Sequence, residues 1–232
     1  IYIVDIKSGD KEALPLKFDG IFYVSWSPVG NKLAFVGNKA EKSNLYLYDL
    51  RSGKLEALTD DIFSDANPTW AVDGKSIFFT SDRGDYVEGQ KIPKDFKMWE
   101  YDYSNTDYYR IDLTSKEIKR LSSTKDSKEG YGQISSDGKK ILYVSDKNGI
   151  SNIYLREADS AGKIIDRPIT NSLSPIDQIS MSKDGKKLLF VSLNKGGYDI
   201  FSLDNPLERD LGMDELVPTD FVLKMEEYAD KF

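Results

Sequence analysis

The chain has 232 residues, a formal net charge of −7, and neither cysteine nor histidine. The acidic balance argues against nonspecific nucleic-acid binding, which needs a basic surface to displace counterions; the two missing residue types remove disulfides, thiolate metal sites, the commonest general base and the serine–histidine triad. With 39% hydrophobic residues there is material for a core, while no apolar run approaches the roughly 18–20 residues that would span a bilayer as a helix.

The chain opens in mid-pattern. "IYIVDIKSG" reads as a strand entering a turn, without initiator methionine or signal-peptide pattern, and the expectation is a piece of a longer protein. Residues 1–16 match the third and fourth strands of a unit that then repeats. Its landmark is a turn glycine, at Gly30, Gly74, Gly138 and Gly185, with spacings of 44, 64 and 47 residues. A four-stranded propeller blade takes roughly 40–50 residues, and the middle spacing carries about 20 more.

Each unit keeps one order. A first strand ("YVSWS", "PTWAV", "YGQIS", "DQISMS") runs into a turn at Asp73-Gly74, Asp137-Gly138 or Asp184-Gly185, with Val29-Gly30 as a looser version. These dipeptides predict two-residue type I′ hairpins, whose central positions both need positive φ. A second strand rich in β-branched and aromatic residues follows ("KLAFVG", "SIFFTS", "KILYVS", "KLLFVS"). After a polar loop comes an alternating third strand ("NLYLYDL", "YYRIDL", "SNIYLRE", "YDIFSL"), then a second hairpin and a fourth strand such as "LEALTD" or "IKRLSS". One such sheet is marginal alone, and radial repetition covers its faces and shortens its edges. The fold expected is therefore all-β: a β-propeller of four-stranded antiparallel blades over residues 1–205, with a partial first blade and then four repeats. A ring of about six blades, one or two of them upstream of Ile1, is the simplest closure. Residues 206–232 form a C-terminal extension with a short helix near Phe221, where Phe221, Met225, Tyr228 and Phe232 make one apolar stripe.

The unit resembles the repeat of TolB-type β-propeller proteins, which also occurs in tricorn-type peptidase propellers. Its signature runs Ser-Pro-Asp-Gly-Lys, an apolar strand, Ser-Asp-Arg, Ile-Tyr, Asp with Gly, and Leu-Thr. It is carried here by Trp26-Ser27-Pro28, Asp73-Gly74-Lys75, Ser81-Asp82-Arg83, Asn152-Ile153-Tyr154, Asp49 with Gly53, and Leu58-Thr59, across about residues 1–204. Departures are Val29 in place of the turn Asp, Ile134 and Met181 where other units have Trp, and "SLNKGG" for Ser-Asp-Arg in the last unit. The resemblance implies a non-catalytic module in the periplasm or secreted, binding a protein or peptide without a cofactor or metal. The alternative it implies is the substrate-gating propeller of a larger tricorn-type or related serine peptidase. A self-sufficient lyase or glycosidase would need paired carboxylates, since histidine is missing.

The added residues in the second unit, Asp85 to Asp107, are the most individual stretch. They join a second strand to a third, on the face that a propeller shares with its blade-to-blade connections. Tyr86, Phe96, Trp99, Tyr101 and Tyr103 are the candidate partner-binding residues, because aromatics with few rotamers suit binding surfaces and long loops are often functional. The opposing reading folds these rings onto their own blade. Asp85, Glu88, Asp95, Glu100, Asp102, Asp107 and Asp112 make the neighbourhood acidic. No Gly-permitted calcium turn accompanies them, and solvated loop charge explains them better than a cation site. Trp26 and Trp70, at equivalent places on first strands, are expected in the inter-blade core.

Overall fold

The runs of β-branched and aromatic residues fold as strands because each is bounded by Gly, Asp, Ser or Asn turns. The computed structural model describes residues 1–87 and 92–229. Two strands, β1 (Tyr2–Val4) and β2 (Lys11–Ala13), make a small antiparallel pair. Three four-stranded sheets follow: β3 (Gly20–Trp26), β4 (Lys32–Lys39), β5 (Lys42–Asp49) and β6 (Leu55–Ala57); then β7 (Asp65–Trp70), β8 (Ser76–Ser81), β9 (Asp107–Asp112) and β10 (Ile118–Arg120); then β11 (Glu129–Ile134), β12 (Ile141–Ser145), β13 (Asn152–Ala158) and β14 (Ile164–Pro168). A last sheet has only β15 (Ile176–Met181), β16 (Lys187–Asn194) and β17 (Gly197–Asp204). Neighbouring strands within every sheet are antiparallel and consecutive in the chain. The first strands β3, β7, β11 and β15 touch in succession, which is the radial blade arrangement of a propeller.

The cores lie between sheets. Ala34, Leu45, Leu47 and Leu58 of the first full blade close on Trp70, Ile77, Phe79, Tyr109 and Ile111 of the second. Leu142, Val144, Ile153, Leu155 and Ile169 close on Ile176, Ile179 and Leu188. Strands such as β4 are buried on both faces, so they read as nearly continuous apolar runs. Each such side chain contributes about 1.5–3 kcal/mol through burial. The second and third blades approach closely at Gly132, where an added Cβ would fall 1.3 Å from the Tyr108 hydroxyl.

The Asp-Gly turns correct the type I′ expectation. Only the glycine has positive φ, as at Gly74, Gly138 and Gly185; Asp73, Asp137 and Asp184 do not. The loops hold four residues between the bonds Ala71 N to Ser76 O (2.9 Å), Ser135 N to Lys140 O (2.9 Å) and Ser182 N to Lys187 O (2.8 Å). Each Asp carboxylate instead accepts the N–H two residues on, from Lys75, Lys139 and Lys186 at 2.9, 3.0 and 3.1 Å. An Asx turn thus selects Asp without demanding a left-handed backbone.

Two other expectations change. Trp70 is core, and its indole N–H donates to Ser25 O at 3.1 Å. Trp26 is 53% exposed, because the two-stranded sheet before it has no first strand to lie over the ring. The helix forms at Asp220–Ala229 (α1), but Phe221, Met225 and Tyr228 of the expected stripe are exposed, and Phe232 lies outside the described residues. The extension docks through other residues. Arg209 Nε donates to Ile169 O (2.9 Å), Leu216 is buried beside Tyr143 and Tyr154, and Thr219 N donates to Asn148 O (2.9 Å).

Candidate interaction surface

The loop face is built on a buried arginine. Ser81-Asp82-Arg83 leaves β8, and Arg83 points inward, fully buried. Its guanidinium donates to Asp61 Oδ2 (2.9 Å), Asp65 Oδ1 (2.6 Å) and Ser81 Oγ (3.1 Å), and lies 5.4–6.0 Å from the ring centres of Phe79, Tyr109 and Phe63. Asp82 accepts the Ser64 N–H at 2.8 Å. These bonds pin the β6–β7 connection, which carries Asp61, Phe63 and Ser64, to the start of the β8–β9 insertion. Burial pushes the Asp82 carboxyl up to about 6. Burial also raises Asp65, against the pull of Arg83.

On this footing the insertion separates its aromatics. Tyr86, Phe96 and Tyr101 pack around Phe63 with centroid distances of 5.3, 5.8 and 5.7 Å, and around one another. Burial pushes the Tyr101 phenol up to about 12. Trp99 and Tyr103 stand out from this platform, 78% and 61% exposed. The acidic residues are partnered separately. Arg120 holds Asp85 and Asp107, Lys97 pairs with Glu100 at 2.9 Å, and Asp102 and Asp112 accept backbone N–H groups of their own turns. Among the described residues no group of three carboxylates converges on a point that could hold a metal; Glu88 lies outside them. The same face carries α1, so that Ser104 of the insertion and Phe221, Val222 and Met225 of the helix line one groove with Lys125 and Lys147.

A second feature lies at the inner strands. Tyr23, Asn67, Tyr131 and Gln178 have φ of 54, 52, 52 and 48°. Each sits where its strand's register shifts, between Phe22 and Ser25, Ala66 and Thr69, Gly130 and Gln133, and Asp177 and Ser180. A left-handed non-glycine residue costs on the order of 1–3 kcal/mol, so four equivalent cases are a built device. A bulge sharpens strand twist and re-aims side chains. Tyr131 is raised by burial and by its hydrogen bond to Asp177. Beside them is a cavity of about 350 Å³ lined by Asn67, Lys128, Glu129, Tyr131, Asp177 and Tyr198. Side-chain chemistry could not flag this row, because Tyr, Asn, Tyr and Gln share little. The signal available was position, since each lies seven residues before its turn glycine.

A third device explains Leu-Thr. Thr59 Oγ1 accepts the Leu45 N–H (2.9 Å) and donates to Asp65 of the next blade (2.5 Å). Ser122 accepts the Tyr108 N–H (2.8 Å) and donates to Glu129 of the next blade. Thr170 accepts the Ile153 N–H and donates to Asn152, both at 2.9 Å, within one sheet. Burial raises Glu129 as it does Asp65.

Residues 1–89 match the family model described as the TolB beta propeller domain. The solved structure of TolB from Acinetobacter baumannii superposes with a TM-score of 0.67 and 25% identity, over 94% of this chain and 48% of that one. The chain carries TolB-type β-propeller repeats. The tricorn protease shares the fold of this TolB-type propeller at a TM-score of 0.52 and 19% identity, over 82% of this chain and 17% of the protease. Dipeptidyl-peptidase 5 of Porphyromonas gingivalis is 26% identical over 160 residues, 65% of this chain and 21% of that protein. The TolB-type propeller therefore spans about a fifth of the peptidase and half of the TolB chain. Here Ser81-Asp82-Arg83 pins the connection between two blades, and Leu58-Thr59 bonds the fourth strand to the third.

Proposed function

We propose that this TolB-type propeller is a non-catalytic binding module that presents its loop face to a protein or peptide. The observation that carries the reading is Trp99 and Tyr103 standing exposed on a rigid platform of Tyr86, Phe96 and Tyr101 over Phe63. The platform anchors the segment from which the two exposed rings project, which lowers the ordering cost of binding. Half-buried Tyr86, Phe96 and Tyr101 act as support, and Trp99 and Tyr103 as contacts. The test selects peptides on the immobilised chain and then measures them against Trp99→Ala/Tyr103→Ala. Loss of at least tenfold in affinity with unchanged circular dichroism is expected, and unchanged affinity would overturn the reading.

A second reading is favoured by the match to Dipeptidyl-peptidase 5 over 65% of the chain. It makes the module the substrate-gating propeller of a larger serine peptidase, with the catalytic residues elsewhere in the protein. The intact mass of the parent protein and its labelling by an active-site serine probe separate the two. A periplasmic or secreted setting accompanies both readings, and cell fractionation of the parent tests it.

A further inference from the structure

The third blade repeats the backbone of the Ser-Asp-Arg corner but lacks two of its side-chain parts. Counted from Gly74 and Gly138, the residues Asp61, Phe63, Ser64, Asp65, Asp82 and Arg83 of the second blade correspond to Lys125, Ser127, Lys128, Glu129, Asp146 and Lys147 of the third. The bonding matches. Asp82 accepts the Ser64 N–H at 2.8 Å, and Asp146 accepts the Lys128 N–H at 2.6 Å. Tyr109 stacks on Phe79 as Tyr154 does on Tyr143. The cation lies over Tyr109 in one blade and over Tyr154 in the other, at 5.9 and 4.6 Å.

The fillings differ. In the second blade the Phe63 ring meets Arg83, and Asp61 accepts from its guanidinium at 2.9 Å. In the third, Ser127 brings no ring and Lys125 no carboxylate. Glu129 takes its hydrogen bonds from Ser122 and Thr124. The Lys147 ammonium therefore has an aromatic face beneath it and no carboxylate partner among the described residues. The Tyr109 hydroxyl donates to Gly84 O at 2.7 Å, whereas the buried Tyr154 hydroxyl has no partner among the described residues.

Ser127, in the place of Phe63, lines the groove of about 580 Å³ beneath α1. Lys128 and Lys147 share its wall with Ser127, and Phe221, Val222 and Met225 face it from the helix. Its own acids do not neutralise these two lysines: Asp126 pairs with Lys125 at 3.6 Å, Asp146 is bonded to backbone, and Glu226 stands exposed on α1. Every wall belongs to two complete sheets or to α1, and Ser104 at its side follows the exposed Tyr103.

We infer that this groove takes an acidic–aromatic segment of a separate partner protein, with Asp or Glu two residues before Phe, as in Asp61-Ile62-Phe63. The ring packs against Phe221, Val222 and Met225, and the carboxylate pairs with Lys147. A desolvated aromatic anchor supplies affinity, and the ion pair fixes its register. The inference rests on the loop face being a binding surface and names the chemistry of what it binds.

The probe is the capped peptide Thr-Asp-Asp-Ile-Phe-Ser-Asp-Ala, the sequence of residues 59–66, titrated to millimolar concentration into the whole chain. Saturable amide shifts at Ser127, Lys147 and Val222 are expected by NMR. Lys147→Met should weaken binding about tenfold with unchanged circular dichroism, and so should replacing the peptide's Phe by Ala or its second Asp by Asn, which leave the protein untouched. Absence of binding, shifts that spare the groove, or equal binding of either altered peptide would overturn the proposal. Groove shifts that grow with protein concentration without peptide would assign it to a second copy, and binding lost in the parent protein would assign it to the parent's own chain; both would overturn it. Failure here beside a tenfold loss in the Trp99→Ala/Tyr103→Ala test would overturn the groove alone and leave the loop-face reading standing.

Discussion

Replacing Arg83 by methionine is expected to lower stability by about 3–5 kcal/mol at pH 7.5, because it leaves buried carboxylates without their counter-charge. The structure sets the magnitude. Arg83 is fully buried and bonded to Asp61 and Asp65, and Asp65 is itself fully buried. For a chain of this size each kcal/mol lowers Tm by roughly 2–4 °C, so a fall on the order of 10 °C is expected. The cost should shrink at pH 5, where the stranded acids can take up protons. Adding Asp65→Asn to Arg83→Met should recover part of the loss at pH 7.5. Urea unfolding followed by the fluorescence of buried Trp70 gives the free energies. A loss below about 1 kcal/mol, or a double variant no more stable than the single one, would refute the reasoning.

Asp82, held near 6 by burial, is protonated more readily in the folded than in the unfolded chain, where its usual value is 3.8. Its folded value is raised, so its contribution is greatest below 3.8 and is lost as pH rises through 6; between pH 5 and 7.5 stability should fall by about 1.4 kcal/mol, and Asp82→Asn should flatten that slope in urea titrations. The exposed turn acids Asp137 and Asp184, lowered by hydrogen bonds to their own turns, act oppositely and lose their contribution in stronger acid. Tyr108→Phe should stabilise by about 1 kcal/mol, since the buried hydroxyl has no hydrogen-bond partner among the described residues. Gly132→Ala should destabilise by about 2 kcal/mol through collision with that hydroxyl, less so in the Tyr108→Phe background; thermal melts of the three variants check both. Trp70→Ala should cost about 3–5 kcal/mol and Trp26→Ala under about 1, which urea titrations will separate.

The strand order was legible because it depends on local patterns. "KLAFVG" and "NLYLYDL" carry their burial in apolar periodicity, and the turn glycines need positive φ wherever the chain folds. The turn type was not, because Asp73 satisfies either a left-handed position or an Asx bond, and only geometry decides. The insertion could not be read for a similar reason. Phe96 meets Phe63, a residue of a connection between other strands, and no local pattern encodes that encounter. Trp26 and Trp70 occupy equivalent positions, yet burial depends on the neighbouring sheet and not on the strand that carries them. The row of Tyr23, Asn67, Tyr131 and Gln178 is written in backbone strain, which side-chain composition does not record.

The hydroxyl links have a mechanical consequence. Thr59 and Ser122 each rivet two adjoining sheets, whereas Thr170 spends its bond inside its own. A chain stretched from its two ends should therefore first shed the docked extension and then part along the seam ahead of β15. The earlier sheets should stay together and yield later, as one larger step in the force trace.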